Sequence, residues 1–226
     1  MKEINELNNL LSQYVDKGFF PGVQWQINID GNVYVGKYGL NNIDTEQKVF
    51  DNSIYRIWSM TKPIVAIAAL KLVEEKKINL DVPITEYLPE FKNLQVMVRE
   101  NGAVEDVEKV NQYPTIKDLF LHTAGFSYNF LADPVGKQYD QLRLFNSDTT
   151  TLEEEIIILA KAPLLFQPKT SWRYSVSMDV LARIVEIVRG NSLQSVLQRE
   201  IFEPLNMNDT AFTVSSENQY KVMASY

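Results

Sequence analysis

Nine of the ten residues from Ile64 to Val73 are apolar, Lys71 being the exception. A helix that is apolar on all sides is stable only when neighbours cover most of it. The run is about half the roughly 20 residues needed to span a bilayer. The chain is therefore expected to fold as a layered globular protein with this helix buried inside. Its size allows that: 226 residues, 45% of them hydrophobic, are enough for one large domain or two small ones. Charged residues at 23% and aromatics at 11% are ordinary for a folded soluble chain.

The charge balance narrows the function classes. The formal net charge is −7, and no basic cluster exceeds Lys76-Lys77, which sits beside Glu74-Glu75 at a helix end. A nucleic-acid partner is not expected. There are no cysteines and one histidine, which argues against a structural zinc site and disulfides. The first residues are polar and acidic, without an apolar signal core. A soluble, cytoplasmic protein with no membrane partner is the expectation.

Around the apolar run the spacing predicts further elements. Ile4, Leu7, Leu10, Leu11, Tyr14 and Val15 recur at helical spacing over residues 3–16. Val23, Trp25, Ile27 and Ile29 alternate with polar residues, and Asp30-Gly31 leads back through Val33 and Val35 as a hairpin. Residues 100–112 are polar and read as a surface excursion. Thr115 with Asp118 marks a helix start, and Gly125 suits its end. Thr151 with Glu153, Glu154 and Glu155 starts another helix, closed by Lys161 and Pro163. Val180, Leu181, Ile184, Val185 and Val188 stripe a third, stopped by Gly190, and a fourth runs from about Ser192 to Phe202.

The chemistry is concentrated before the apolar helix, in Trp58-Ser59-Met60-Thr61-Lys62-Pro63. A serine and a lysine three residues apart at a helix start share one face. Serine becomes a nucleophile when a nearby base takes its proton. Lysine can be that base if burial lowers its pKa, and a buried helix start would supply the burial. Free N–H groups there can stabilise an oxyanion, and Pro63 is tolerated in a first turn. The spacing alone is not specific. With 13 serines and 15 lysines in the chain, about one Ser-x-x-Lys match arises by chance, and an exposed capping serine is the plain alternative.

Five segments together are more telling. Ile54–Pro63 resembles the nucleophile segment of esterases related to class C β-lactamases, and Leu80–Phe91 the loop that follows it. His122-Thr123-Ala124-Gly125 is similar to a family "His-Thr-Ser/Ala-Gly" step. Trp172-Arg173-Tyr174-Ser175-Val176 resembles the family's tyrosine motif in its esterase form, and Pro204–Thr210 a further signature. In this order they resemble the serine β-lactamase and penicillin-binding-protein superfamily, in particular class C β-lactamase-like carboxylesterases of the family VIII type.

The resemblance implies an α/β plus all-α fold, a three-layer sandwich of antiparallel sheet and flanking helices with a helical subdomain. Residues 1–75 would form the N-terminal part of the α/β domain with the nucleophile helix, 76–178 a mainly helical subdomain, and 179–226 helices returning to the α/β domain. It implies Ser59 as nucleophile, Lys62 and Tyr174 as the groups handling its proton, and the Ser59 N–H as half of an oxyanion hole. Which of Lys62 and Tyr174 is the base stays open. From the residues alone Tyr174 would read as a buried aromatic before a helix, and Tyr128 as pocket lining or packing. His122 reads as structural, at a helix C-terminus that favours positive charge, and Trp172 as packing.

The implied function is hydrolysis of a small-molecule carboxylic ester through an acyl-enzyme, without a metal or organic cofactor. The alternatives are amide, β-lactam or D-amino-acid peptide hydrolysis, and a non-catalytic penicillin-binding-like sensor. Two departures stand out. Class C β-lactamases carry an asparagine two residues after the tyrosine, where this chain has Val176, a candidate substrate contact that cannot hydrogen-bond through its side chain. The family's last strand motif also has no match in residues 1–226. The expectation is a chain lacking its C-terminal strands, with the sheet open beside the N-terminal hairpin. Oligomeric state is not legible.

Overall fold

The computed structural model describes residues 2–146 and 149–226. Two compact units emerge: Met1–Trp58 with Asp209–Tyr226, and Ser59–Asn208.

The first unit opens with helix α1 (Lys2–Asp16). Ile4, Leu7, Leu11 and Val15 are half-buried along one face, whereas Leu10 and Tyr14 remain exposed. Strands β1 (Gly22–Ile29) and β2 (Asn32–Asn42) form the expected antiparallel hairpin, with Trp25 opposite Gly36 and Ile27 opposite Tyr34. Asp30 (φ 50°) and Gly31 (φ 82°) are both left-handed, the combination a tight two-residue hairpin turn needs. The Asn28 side chain accepts from the Gly31 N–H at 3.1 Å. Gly36 is bare for a reason: a Cβ there would lie 2.4 Å from the Trp25 indole. That indole donates to Asn8 of α1 at 3.2 Å, tying the helix to the sheet. A short β3 (Gln47–Lys48) pairs with β2. Among the described residues the sheet order is β1-β2-β3, so β1 has one strand neighbour. The chain end returns here, with Ile54 bridging to Val222.

The second unit starts at the apolar run, helix α2 (Thr61–Glu74). Only one side is buried, through Val65, Ala68, Ala69 and Leu72; Ile67 and Leu70 are about half exposed. The expectation of burial on most sides is met on one side only, where the helix packs against helices described below. The polar excursion contributes a small hairpin, β4 (Gln95–Met97) with β5 (Val107–Lys109). Helix α3 (Ile116–Leu121) starts at a reciprocal cap in which the Thr115 hydroxyl accepts from the Asp118 N–H and the Asp118 carboxylate accepts from the Thr115 N–H. It ends at His122, itself left-handed (φ 55°), rather than at Gly125. Gly125 has φ 96° and serves packing: a Cβ there would meet the Phe166 carbonyl at 2.4 Å.

Helix α4 (Pro134–Gln141) has no counterpart in the sequence reading, although Asp133-Pro134 carries its start signal: an acid cap followed by proline at the first helical position. Helix α5 (Leu152–Leu159) begins at the expected Thr151 cap with Glu154 in the reciprocal role. Helix α6 (Ser177–Arg189) stops at Gly190, φ 64°. The expected fourth helix divides into α7 (Leu193–Leu197) and a π-helical turn, Gln198–Phe202. Helix α6 is central, in contact with α2, α3, α5 and α7. Val180, Leu181, Ile184 and Val185 are fully buried on it, each worth roughly 1.5–3 kcal/mol of burial. Helix α2, grouped by sequence with residues 1–75, thus shares the second unit with α6. Among the described residues no helix is long and apolar enough to cross a membrane.

Candidate active site

The three residues expected to act together come from two places in the second unit. Ser59 lies in a 3-10 turn, Trp58–Met60, just ahead of α2, with Lys62 in the first turn of that helix. The preceding residue, Trp58, has φ 45°. A non-glycine residue in that region stores roughly 1–3 kcal/mol, and here the strain sits next to Ser59. Tyr174 precedes α6. Its hydroxyl donates to Ser59 Oγ at 2.7 Å, and Lys62 Nζ donates to the same oxygen at 3.4 Å. Lys62 Nζ also stands 4.9 Å from the Tyr174 ring centroid and 5.2 Å from that of Tyr128, within the range of cation–π attraction.

Two expectations about this cluster change. Ser59 is exposed, not buried at its helix start. The Lys62 amine is not driven toward its neutral form. Burial alone would lower its pKa, but hydrogen bonding to Tyr128 and Tyr174 outweighs it and leaves Lys62 above its ordinary value. Tyr174 moves the other way. Burial raises its pKa, yet the hydrogen bonds to Ser59 and Lys62 and the charge of Lys62 bring it below the ordinary phenol value. An ammonium beside a phenol that ionises readily is the resulting pair.

The segment that carries Tyr174 is clamped by His122. The His122 carbonyl accepts from the Arg173 N–H at 3.0 Å. Its Nδ1 lies 3.2 Å from Ser175 Oγ, and Ser175 Oγ lies 2.8 Å from Ser177 Oγ. The His122 ring is 5.2 Å from the Tyr174 ring and 6.4 Å from that of Trp172. The positive charge expected of His122 at a helix end is not favoured: burial, with Lys62 nearby, lowers its pKa and favours the neutral ring. Arg173 pairs with Asp133 at 3.6 Å, and Asp133 accepts from Ser127 Oγ at 2.6 Å.

The two candidate substrate contacts separate. Tyr128 is half-buried, stacks on Phe130 at 4.7 Å, and lies 5.5 Å from Tyr174. Its hydroxyl is pushed up to about 12, first by burial and then by the charge of Asp179. Val176 is fully buried in the core cluster, and its N–H donates to the Ser127 carbonyl at 3.1 Å. It cannot touch a substrate in this conformation. As the residue that caps α6, its side chain turns into the core, which spacing from Tyr174 does not reveal. Asp179, in the first turn of α6, reads in sequence only as a helix start, since an acid there looks ordinary. Burial pushes it up to about 6. Among the described residues no group of three or more His, Cys, Asp or Glu side chains is placed to hold a metal ion. A separate cleft lies in the first unit, lined by Phe19, Phe20, Tyr38, Val49 and Tyr226.

Comparison with known proteins gives the family. Esterase EstB of Burkholderia gladioli is 32% identical over 193 residues, covering 84% of this chain and 46% of that protein. Lovastatin esterase of Penicillium rubens is 32% identical over 185 residues, 80% of this chain and 45% of that protein. The chain thus spans about half the length of the curated relatives it matches. The structure of EstCE1, described as a hydrolase with promiscuous acyltransferase activity, superposes with a TM-score of 0.83 at 27% identity, over 100% of this chain and 57% of that one. A class C beta-lactamase shares the fold, with a TM-score of 0.73 at 18% identity over 98% of this chain and 54% of that one. The family description that fits is Beta-lactamase, matched over residues 7–226. With nearly the whole chain inside that match and the serine, lysine and tyrosine converging on one oxygen, this protein belongs to the beta-lactamase family.

Proposed function

We propose that the chain carries the nucleophilic centre of a serine hydrolase that cleaves carboxylic esters through an acyl-enzyme. One observation carries this: Tyr174 and Lys62 both reach Ser59 Oγ, at 2.7 and 3.4 Å. In this scheme Tyr174, as phenolate, takes the Ser59 proton while Oγ bonds to the ester carbonyl carbon. The N–H of Ser59 donates to the oxyanion. When the intermediate collapses, the carbon–oxygen bond to the alcohol breaks and Tyr174 returns the proton to the leaving oxygen. Water then repeats the sequence on the acyl-serine: Tyr174 removes its proton, and Ser59 leaves with that proton restored. Lys62 remains an ammonium throughout, stabilising the phenolate. The directions of the Lys62 and Tyr174 shifts favour Tyr174 over Lys62 as the base.

The named esterases among its relatives support an ester substrate over an amide. The test is covalent. Fluorophosphonate treatment followed by peptide mass mapping should place one adduct on Ser59. Ser59→Ala should abolish it and reduce ester turnover by about 10⁴–10⁶-fold. An adduct on Ser127 or Ser175, or cephalosporin turnover equal to that of the best nitrophenyl ester, would overturn the assignment.

A further inference from the structure

Asp179 has no part in the scheme above, yet its charge acts on Tyr174 and Tyr128, and the charge of Lys62 acts on it. Its Oδ2 faces the Tyr128 hydroxyl at 3.5 Å. Tyr128 presents its ring to Lys62 and lies beside Tyr174. The helices that carry Lys62 and Asp179, α2 and α6, pack directly on each other. The plain account of Asp179 is an acid favoured by a helix N-terminus. That account does not explain why the half-buried carboxylate faces a phenol hydroxyl. Moving a carboxylate out of water is costly unless partners replace the solvent. Here the Tyr128 hydroxyl and the charge of Lys62 both act against the rise that burial imposes on Asp179.

The site needs such a group. Lys62 is long and flexible, and its ammonium must stay within reach of Ser59 and Tyr174. Two phenol faces attract it, at 4.9 and 5.2 Å. The Tyr128 face is only as well placed as Tyr128 itself. That ring rests on Phe130 at one side, and its hydroxyl is anchored at Asp179. We propose that Asp179 is a positioning residue, which through the Tyr128 hydroxyl holds the ammonium of Lys62 in register with Ser59 and Tyr174. This role rests on the ester-hydrolase assignment and deepens it.

The test compares wild type with Asp179→Asn, Tyr128→Phe and the double variant. A short-chain nitrophenyl ester supplies kcat and KM. Fluorophosphonate labelling of Ser59 supplies an acylation rate, and thermal unfolding reports on folding. Misplacing a catalytic group by a fraction of its reach costs roughly 10- to 100-fold. Asp179→Asn should lower kcat and the labelling rate by about that factor, with KM and Tm little changed. Tyr128→Phe should act in the same direction, and the double variant should be no slower than the slower single one, because the two residues act as one unit. A merely structural acid would lower Tm and leave kcat per folded molecule intact. Wild-type kcat in Asp179→Asn, or effects that multiply in the double variant, would overturn the role. If Asp179→Asn does not fold, Tyr128→Phe decides alone: unchanged kcat refutes the role, and reduced kcat at constant KM and Tm supports it. Wild-type protein left unlabelled at Ser59 would overturn the ester-hydrolase assignment, and the role of Asp179 with it.

Discussion

Tyr174→Phe separates the two candidate bases. The substitution removes one oxygen and keeps the ring. The ring contacts of Tyr174 with His122 and Tyr128, at 5.2 and 5.5 Å, do not need the hydroxyl. The residue is only partly buried, and its hydroxyl donates to an exposed serine. The stability change should therefore stay within about 0.5 kcal/mol. The kinetic change should be large. A positioned general base contributes about 10²–10⁴-fold, or about 2.7–5.4 kcal/mol at ~1.36 kcal/mol per factor of ten. Lys62 does not replace it, because it is held as an ammonium by the two tyrosines. The assay is hydrolysis of a nitrophenyl ester together with the rate of fluorophosphonate labelling at Ser59. Both should fall by the same factor, since both report acylation. Tyr174→Phe within tenfold of wild type, alongside a Lys62→Met variant without activity, would refute the argument and make Lys62 the base.

Other consequences can be checked separately. Because the Tyr174 pKa is lowered and that of Lys62 raised, kcat/KM should rise with pH in a limb below the ordinary phenol range and fall only above the ordinary lysine range; the rising limb should vanish in Tyr174→Phe, and its persistence there would assign it to another group. Val176→Asn buries an amide in a fully closed site, so thermal unfolding should show a loss of about 1–3 kcal/mol, and unchanged stability with a gain in cephalosporin turnover would mean that the side chain can swing into the pocket. Gly125→Ala combines a left-handed φ of 96° with a clash at the Phe166 carbonyl; roughly 1–3 kcal/mol of destabilisation follows, and a neutral result would place the loop in another conformation in solution.

Residue order alone determined a good part of this protein. Turn and cap chemistry is local, so Asp30-Gly31, the Thr115 and Thr151 caps and the Gly190 stop were legible from neighbours a few positions away. The pairing of Ser59 with Lys62 was legible for the same reason, since three residues of helix bring them to one face. Tyr174 was legible only through resemblance, because 115 residues separate it from Ser59. What tertiary structure decided was solvent exposure and charge. The apolar run at Ile64–Val73 predicts burial on most sides, but how much of a helix is covered depends on what packs against it, and Ile67 and Leu70 stay exposed. Val176 and Asp179 lie two and five residues beyond Tyr174, and nothing in that spacing tells that one turns into the core while the other meets Tyr128. The protonation of Lys62 follows from two tyrosines supplied by distant segments. A pKa is a property of surroundings in space, and only the folded chain brings those surroundings together.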